Sequence, residues 1–488
     1  MPDEITTRSP KVRRSTLRTR QRRALAALLP ATLLLAACGS GSGGGNSGGG
    51  SGGGSGDDKT VTMWTLEDVQ SRIDATKKIA ADYSAQAGVK VEVVAIAEDQ
   101  FNQLITAAAG ADKMPDVVAA LGLAGVQDLA SNDLLDTDAS AKVVQDLGAN
   151  TFSERALKLT QSSDGKQLAV PSDGWAQQLL YRKDLFQAQG LKEPKTFADI
   201  QAAAAKLKSK DMSGIALADA PGDSFTQQTF EHLALADGCQ LVGGDGAITL
   251  NSAPCAETFN TVATLAKQYG PPGNQDVDST RASYFAGKSA MTVWSSFILD
   301  EMAGLRKDAL PTCPQCRKDK TYLAKNTGIV SSLQGPSGKA PAQYGEITSW
   351  AITDGASGAT SEFVKHMMGP AYLKWLALAP EGKVPVRKGS ADKPTEFSDG
   401  WANLEAGVDT KAKLSSVYSP EVLATLQKSP DTFQRWGIEQ GKGALAGAML
   451  AELPVPKALN TVITGKADAT QAAAQAQKAV EEIAKGLE

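Results

Sequence analysis

Histidine is almost absent from this chain, with two among 488 residues. His232 lies in Gln227-Gln228-Thr229-Phe230-Glu231-His232-Leu233 and His366 in Phe363-Val364-Lys365-His366-Met367. Both sit beside an apolar helical face, where a satisfied structural histidine is the ordinary reading rather than a metal ligand. No His-Glu-x-x-His and no phosphate-cradling glycine loop occurs in the body of the chain. Gly-x-Ser-x-Gly appears only inside a Gly/Ser tract, as Gly45-Asn46-Ser47-Gly48-Gly49, without the strand and helix that a nucleophile elbow needs. These absences weaken most hydrolase readings, though not carboxylate-based ones. Beyond residue 37 there is no apolar run long enough to cross a membrane. Positive charge is also scarce there. Residues 1–37 hold eight of the 50 basic and two of the 54 acidic side chains, so the remainder carries 42 and 52, a net charge near −10. Phosphate binding needs a basic surface, which argues against a nucleic-acid partner.

Cysteine is sparse as well. Besides Cys38 there are Cys239, Cys255, Cys313 and Cys316. Four cysteines allow three pairings, and proximity in sequence favours Cys239 with Cys255 and Cys313 with Cys316. A zinc site would want two close pairs or a nearby histidine, and only one pair has that spacing. A redox Cys-x-x-Cys should follow a buried strand and open a helix, whereas Pro311-Thr312-Cys313-Pro314-Gln315-Cys316 lies in a polar, proline-punctuated stretch. Structural disulfides of an exported protein are the expectation.

What the chain does have begins at its amino end. Arg8, Lys11, Arg13, Arg14, Arg18, Arg20, Arg22 and Arg23 precede a short apolar run, Ala24 to Ala37, interrupted by Pro30. That run is too short to span a bilayer comfortably and reads as an export signal. Leu35-Ala36-Ala37-Cys38 at its end resembles a bacterial lipobox. The resemblance implies removal of residues 1–37 and acylation of Cys38, which would anchor the chain to the outer face of the cell membrane. Residues 38–58 then form a tether of almost pure Gly and Ser, a flexible coil with a typical span of roughly 25 Å. The Arg13-Arg14 and Arg22-Arg23 pairs leave the general secretory and twin-arginine routes both open.

The body alternates strand and helix. Lys59 to Trp64 reads as a strand, about Ser71 to Ala87 as a helix ended by Gly88, and Val89 to Ile96 as a β-branched strand. Gln100 to Ala109 is helical and Val117 to Leu121 a buried strand. Further on, Phe197 to Leu207, Phe225 to Leu235 and Phe259 to Tyr269 are helices, while Ile215-Ala216-Leu217, Ala290 to Trp294 and Thr348 to Thr353 are strands. Ser361 to Leu378 carries two helical stretches broken at Gly369-Pro370, and the Ala-rich tail is a helix from an Asp468 N-cap to Gly486. Such alternation means an α/β fold with a parallel sheet. A body of this length should split into two lobes, because one core rarely grows past about 300 residues.

The order of segments resembles that of the extracellular solute-binding proteins of ABC importers, in the carbohydrate-binding family that includes maltose-binding protein. The residues that carry the likeness run from Asp164-Gly165-Lys166-Gln167-Leu168-Ala169-Val170-Pro171 into Gln177-Gln178-Leu179-Leu180-Tyr181-Arg182-Lys183-Asp184-Leu185-Phe186, then Gly190 and Pro194-Lys195-Thr196-Phe197. Ala109-Gly110 with Met114-Pro115-Asp116-Val117, Tyr284-Phe285-Ala286-Gly287-Lys288-Ser289-Ala290-Met291, Glu381-Gly382-Lys383-Val384-Pro385-Val386-Arg387 and Thr464-Gly465-Lys466 follow in the same order as in that family. The resemblance implies a two-lobed periplasmic-binding-protein-like fold of type II, with a ligand cleft between lobes joined by several crossing strands. Lobe I would comprise 59–171 and 346–388, and lobe II 172–345 and 389–488, with crossings near Val170-Pro171, near Glu346 and just after Arg387.

Ligands of open α/β sheets sit beyond the carboxyl ends of strands. That rule selects Trp64, Glu67, Glu98, Asp99, the Gly122 loop, Asp173, Trp175, Trp294, Ser295 and Phe297, and brings in Trp350 and Arg387. The set suits a sugar, whose C–H faces stack on flat rings while its hydroxyls meet carboxylate, amide and guanidinium groups. The expectation is a monomeric receptor, not an enzyme and without cofactor or metal. It captures a small polar solute, a sugar or oligosaccharide by preference, and hands it to ABC permease subunits. A secreted carboxylate-dependent glycosidase and a bilobed surface sensor or adhesion protein are the alternatives. Neighbouring carboxylates such as Glu98 and Asp99 point to opposite faces of a strand, which disfavours a catalytic dyad. The negative charge disfavours highly anionic solutes, although Arg387 and Arg435 could serve one locally.

Overall fold

The computed structural model describes residues 59–67 and 69–487, and the side chain of Asp99 is not among what it describes. The expected signal of residues 1–37, the acylated Cys38 and the tether up to residue 58 therefore lie outside the described residues.

The first strand, β1 (Thr60–Thr65), alternates as its sequence suggests, turning Val61, Met63 and Thr65 inward. Helix Gln70–Ala87 buries Thr76, Ile79, Ala80 and Tyr83 and stops at Gly88, whose φ of 69° is a left-handed conformation that costs glycine little. β2 (Lys90–Ala95) and β3 (Val117–Gly122) flank β1 in parallel. β4 is long, Val170–Arg182. The remaining strands are β5 (Met291–Ser295), β6 (Thr327–Val330), β7 (Gln343–Ile352), β8 (Val384–Pro385), the small antiparallel pair β9 (Glu405–Ala406) and β10 (Ala412–Lys413), and β11 (Phe433–Gln434). The main sheet runs β2-β1-β3-β7-β4-β5, with β6 and β8 also on β4 and β11 on β7.

Two strands carry the chain from one half of this sheet to the other. β4 and β7 are antiparallel from Val170↔Trp350 to Ala176↔Gly345. The far half of β7 lies on β3, while the second half of β4 lies between β5 and β6. Nearly every side chain of β4 is buried, as expected of a strand covered on both faces. Pro171 lies near its start, where a missing amide matters least, and a register shift follows between Pro171 and Asp173. Phe433 lies across the crossing at two positions that lack a Cβ: one built on Gly174 would come within 2.7 Å of its ring, and one on Gly345 would overlap it. One apolar cluster runs through the crossing and joins Val61 and Val170 to Ile298, Leu299 and Leu323. A second gathers Leu179, Phe230, Phe259, Trp436 and Val480, and a third Phe101, Val118, Leu121 and Ala351.

Locally encoded helices form where expected. Helix Phe197–Leu207 opens on a Thr196/Asp199 capping box, and helix Ala469–Lys485 opens on an Asp468/Gln471 capping box. The cysteines pair as Cys239–Cys255 and Cys313–Cys316, with S–S distances of 2.02 and 2.01 Å. Three expectations need correction. The sheet is mixed and not parallel: β1 lies parallel to β2 and β3, but β7 runs antiparallel to β3 and β4, and β5 antiparallel to β4, because the crossing strands return through the same sheet. Ile215-Ala216-Leu217 is not a strand: it makes a single bridge, Ala216↔Thr292, because the amides of Gly214 and Ile215 bond to Tyr269 O instead of extending a ladder. The helix expected from Phe259 begins six residues earlier, at Ala253. Pro254 sits in its first turn, where a proline lacks only an amide that would be unbonded anyway, and the helix closes in a π-turn, Leu265–Tyr269.

Candidate functional site

A cavity of about 460 Å³ opens at the crossing of β4 and β7. Its deepest charge is Asp173, which the register shift in β4 turns inward and which is 0% exposed. A carboxyl group buried this deeply needs donors for its oxygens. Ser172 Oγ donates at 2.6 Å, Trp375 Nε1 at 2.8 Å, Thr348 Oγ1 at 2.9 Å, and Lys383 Nζ approaches to 3.4 Å. Lys383 is itself buried, 4.4 Å from the centre of the Trp375 ring, and its second partner is Glu67 Oε1 at 2.6 Å. Burial works against the charge on Lys383, but Asp173 and Glu67 outweigh it and raise its pKa. Burial likewise opposes ionisation of Glu67, yet Lys383 and Arg72 together hold its carboxyl below the usual range. Arg72 lies 3.6 Å from Glu67 and 3.6 Å from Glu381. Glu381 is buried near Asp300, and both effects push its pKa up to about 7.

A second set of charges lines the other side. Arg435 is buried over the Tyr344 ring, 4.5 Å from its centre, between Glu231 at 3.2 Å and Glu346. Glu346 Oε1 also accepts from the backbone N–H of Leu123 at 2.7 Å, at the start of helix Leu123–Ser131. Between the two sets stands an aromatic wall. The Trp175 ring centre is 6.0 Å from Phe297 and 5.7 Å from Tyr344, and Phe297 lies on Gly382, where a Cβ would overlap it. Ala120, on the cavity edge, has a φ of 59° beside an irregularity in the β3–β7 pairing, a strained backbone of the kind that clusters at functional sites.

Of the residues selected by strand ends, Glu67, Glu98, Gly122, Asp173, Trp175 and Phe297 line this cavity. The others do not. Trp64 packs against the cluster of Phe101 and Leu121. Trp294 is 6% exposed and stacks on Phe225 at 5.0 Å; it is register partner to Gln178 within the sheet, and Ser295 pairs with Gln177 and is buried. Trp350 is core, 4.8 Å from Trp375. Arg387 is a structural clamp, donating to Leu147 O, Thr151 Oγ1 and Met368 O while packed against Phe152 and Phe397. The selection overlooked Arg72, Gln228, Tyr344, Glu346, Lys383 and Arg435. Lys383 stood inside Glu381-Gly382-Lys383-Val384-Pro385, Glu346 stood at an expected crossing, and Arg435 was named as a cation that could serve an anionic solute, so three of the six had a signal. Among the described residues no group of three His, Cys, Asp or Glu could hold a metal ion. No helix among them is long and apolar enough to cross a membrane.

Comparison with known proteins gives this geometry a context. Residues 70–311 match the model of the bacterial extracellular solute-binding protein family. The YcjN protein of Escherichia coli, named provisionally as an ABC transporter periplasmic-binding protein, is 25% identical over 417 residues, covering 84% of this chain and 88% of that protein. Among solved structures, the cyclic alpha-maltosyl-1,6-maltose binding protein of Arthrobacter globiformis superposes with a TM-score of 0.64 at 18% identity, covering 88% of this chain and 99% of that one. The GacH receptor of Streptomyces glaucescens, solved unliganded and with acarbose, gives 0.63 at 19% identity over 87% and 98%. The fold is the two-lobed one of periplasmic solute-binding proteins.

The raised pKa of Glu381 makes a stability prediction. The folded state keeps its proton up to about pH 7, whereas the unfolded chain loses it near the ordinary value of 4.5, so this group's contribution falls as pH rises between the two. Glu381→Gln, which mimics the protonated form, should therefore gain on the wild type by the order of 1–3 kcal/mol between pH 5 and pH 8. Urea unfolding at both pH values checks this; a difference that is constant with pH contradicts it.

Proposed function

The chain belongs to the bacterial extracellular solute-binding proteins, and from that premise we propose that it is the lipid-anchored receptor of an ABC importer, capturing a sugar or oligosaccharide and delivering it to the permease. It is a substrate-binding transport protein, not an enzyme. The observation that carries the sugar reading is the aromatic wall of Trp175, Phe297 and Tyr344 facing buried carboxylates and Lys383 across one cavity. Rings take the C–H faces of a pyranose, and Asp173, Glu67, Glu98, Gln228 and Lys383 offer acceptors and donors to its hydroxyls. The cavity falls within the roughly 300–1,000 Å³ of small-molecule sites, room for one or a few rings. The acarbose complex of GacH, and the name of the Arthrobacter protein as a cyclic alpha-maltosyl-1,6-maltose binding protein, support this reading.

In this reading lobe I is 59–171 with 346–388 and lobe II is 172–345 with 389–488. They close over the solute by bending about β4 and β7. Cys38 carries the lipid, and residues 38–58 let the receptor reach its permease without leaving the membrane surface.

Titration calorimetry against neutral monosaccharides, disaccharides, oligosaccharides and polyols tests the sugar reading. A ligand should emerge from that panel, and Trp175→Ala should weaken it by about tenfold or more. Silence from the whole panel with folded protein contradicts the proposal. The anchor has its own check: Cys38→Ala should move the protein from the membrane fraction to the medium, and unchanged membrane retention contradicts acylation at Cys38.

A further inference from the structure

A helix start and a buried arginine meet at one corner of the cavity, and both are already taken by the same side chain. Helix Leu123–Ser131 begins after Gly122, which offers no side-chain cap, and Gly122, Ala124 and Gly125 line the cavity. The first amides of a helix have no partners within it, and the helix dipole adds a partial positive charge there, so such an end favours an anion. Here the anion is built in. Glu346, 223 residues away in sequence, accepts from Leu123 N–H at 2.7 Å through Oε1. Its approach depends on Gly122, where a Cβ would stand 3.2 Å from that oxygen. The other oxygen, Oε2, pairs with Nη1 of Arg435. Arg435 is 5% exposed, and its remaining carboxylate partner is Glu231.

The other cations of the cavity are occupied in the same manner. Lys383 is held by Glu67 and Asp173, and Arg72 by Glu67, with the Glu381 carboxyl 3.6 Å away. Among the described lining residues, three cations (Arg72, Lys383, Arg435) stand with four carboxylates (Glu67, Glu98, Asp173, Glu346). An acidic solute entering here would lose its hydration and find each cation already paired. A hydroxyl meets no such barrier, since it can donate to a carboxylate that already has other partners. Discrimination by repulsion of this sort adds selectivity that attractive contacts alone do not give.

We infer that Glu346 sets the charge selectivity of the cleft, occupying the place of a ligand's anionic group so that the receptor takes uncharged saccharides and refuses acidic or phosphorylated ones. This rests on the carbohydrate reading above and names the solute class within it. Its consequence is a gain of function: removing the Glu346 carboxylate frees the Leu123 amide and half of Arg435 for an external anion.

The experiment is titration calorimetry of wild type, Glu346→Ala and Glu346→Gln with inorganic phosphate, with D-glucuronate, and with the neutral saccharide panel. Far-UV circular dichroism and cooperative melting establish that each variant is folded. Wild type should bind neither anion, and Glu346→Ala should bind phosphate at least tenfold more tightly than wild type. Glu346→Gln keeps an acceptor for Leu123 N–H and should show a smaller gain; it decides the matter should the alanine variant not fold. Wild type binding phosphate or glucuronate as tightly as Glu346→Ala overturns the inference. So do folded variants that stay silent to both anions while wild type binds a neutral saccharide, a result that leaves the carbohydrate reading standing. Phosphate binding gained by the variant when wild type answers no saccharide supports the role of Glu346 and removes the carbohydrate reading instead.

Discussion

A carboxylate sealed from water governs this structure. At the strand crossing four elements each supply Asp173 with a donor or a cation: Ser172 from β4, Thr348 from β7, Trp375 from helix Tyr372–Leu376, and Lys383 from the segment entering β8. Removing a partner from such a group strands a charge in a medium that solvates it poorly, an effect of several kcal/mol. The register in which Asp173 faces Thr348 on one side and Pro385 on the other is therefore held by electrostatics as well as by backbone pairing. Two passages of the chain between halves of the sheet are locked together at the point where a ligand would enter.

From that anchor the cavity's charges extend in series. Asp173 fixes Lys383, Lys383 fixes Glu67, Glu67 fixes Arg72, and Arg72 reaches Glu381. On the opposite wall Glu231, Arg435, Glu346 and the Leu123 amide form a second series. Each member limits the rotamers of the next, so the polar groups are oriented before any solute arrives, which lowers the entropy lost on binding. The rings of Trp175, Tyr344 and Phe297 stand between the two series. Tyr344 shares its face with Arg435, and Phe297 rests on Gly382 beside Lys383, so aromatic wall and ion pairs position one another.

How far this was legible in the sequence depended on the range of the interaction involved. Gly88 ending a helix, Thr196 with Asp199 and Asp468 with Gln471 are contacts within a few residues, and the sequence displays them directly. The strand Ile215 to Leu217 looked equally local, but the Ile215 amide goes to Tyr269 and that of Ala216 to Met291, each more than fifty residues on. In the site, the strand-end rule reached Glu67, Glu98 and Phe297, because leaving a strand at its carboxyl end suffices to bring a side chain to the crevice. It failed for Trp294, which is still inside β5, and for Trp350, whose strand places it against Trp375. Arg435 and Glu346 were beyond its reach, since each becomes a cavity residue only through partners on other elements. Arg387 misled for the converse reason: a guanidinium that could meet a ligand instead ties together Leu147, Thr151 and Met368.

The central claim is that the halves joined by β4 and β7 move about that crossing and shut on a saccharide. Small-angle X-ray scattering of the protein alone, and then saturated with the saccharide that calorimetry identifies, measures this most directly. The account predicts a smaller radius of gyration in the saturated protein, reversed when the ligand is dialysed away. A radius of gyration that is the same with and without saturating ligand contradicts it.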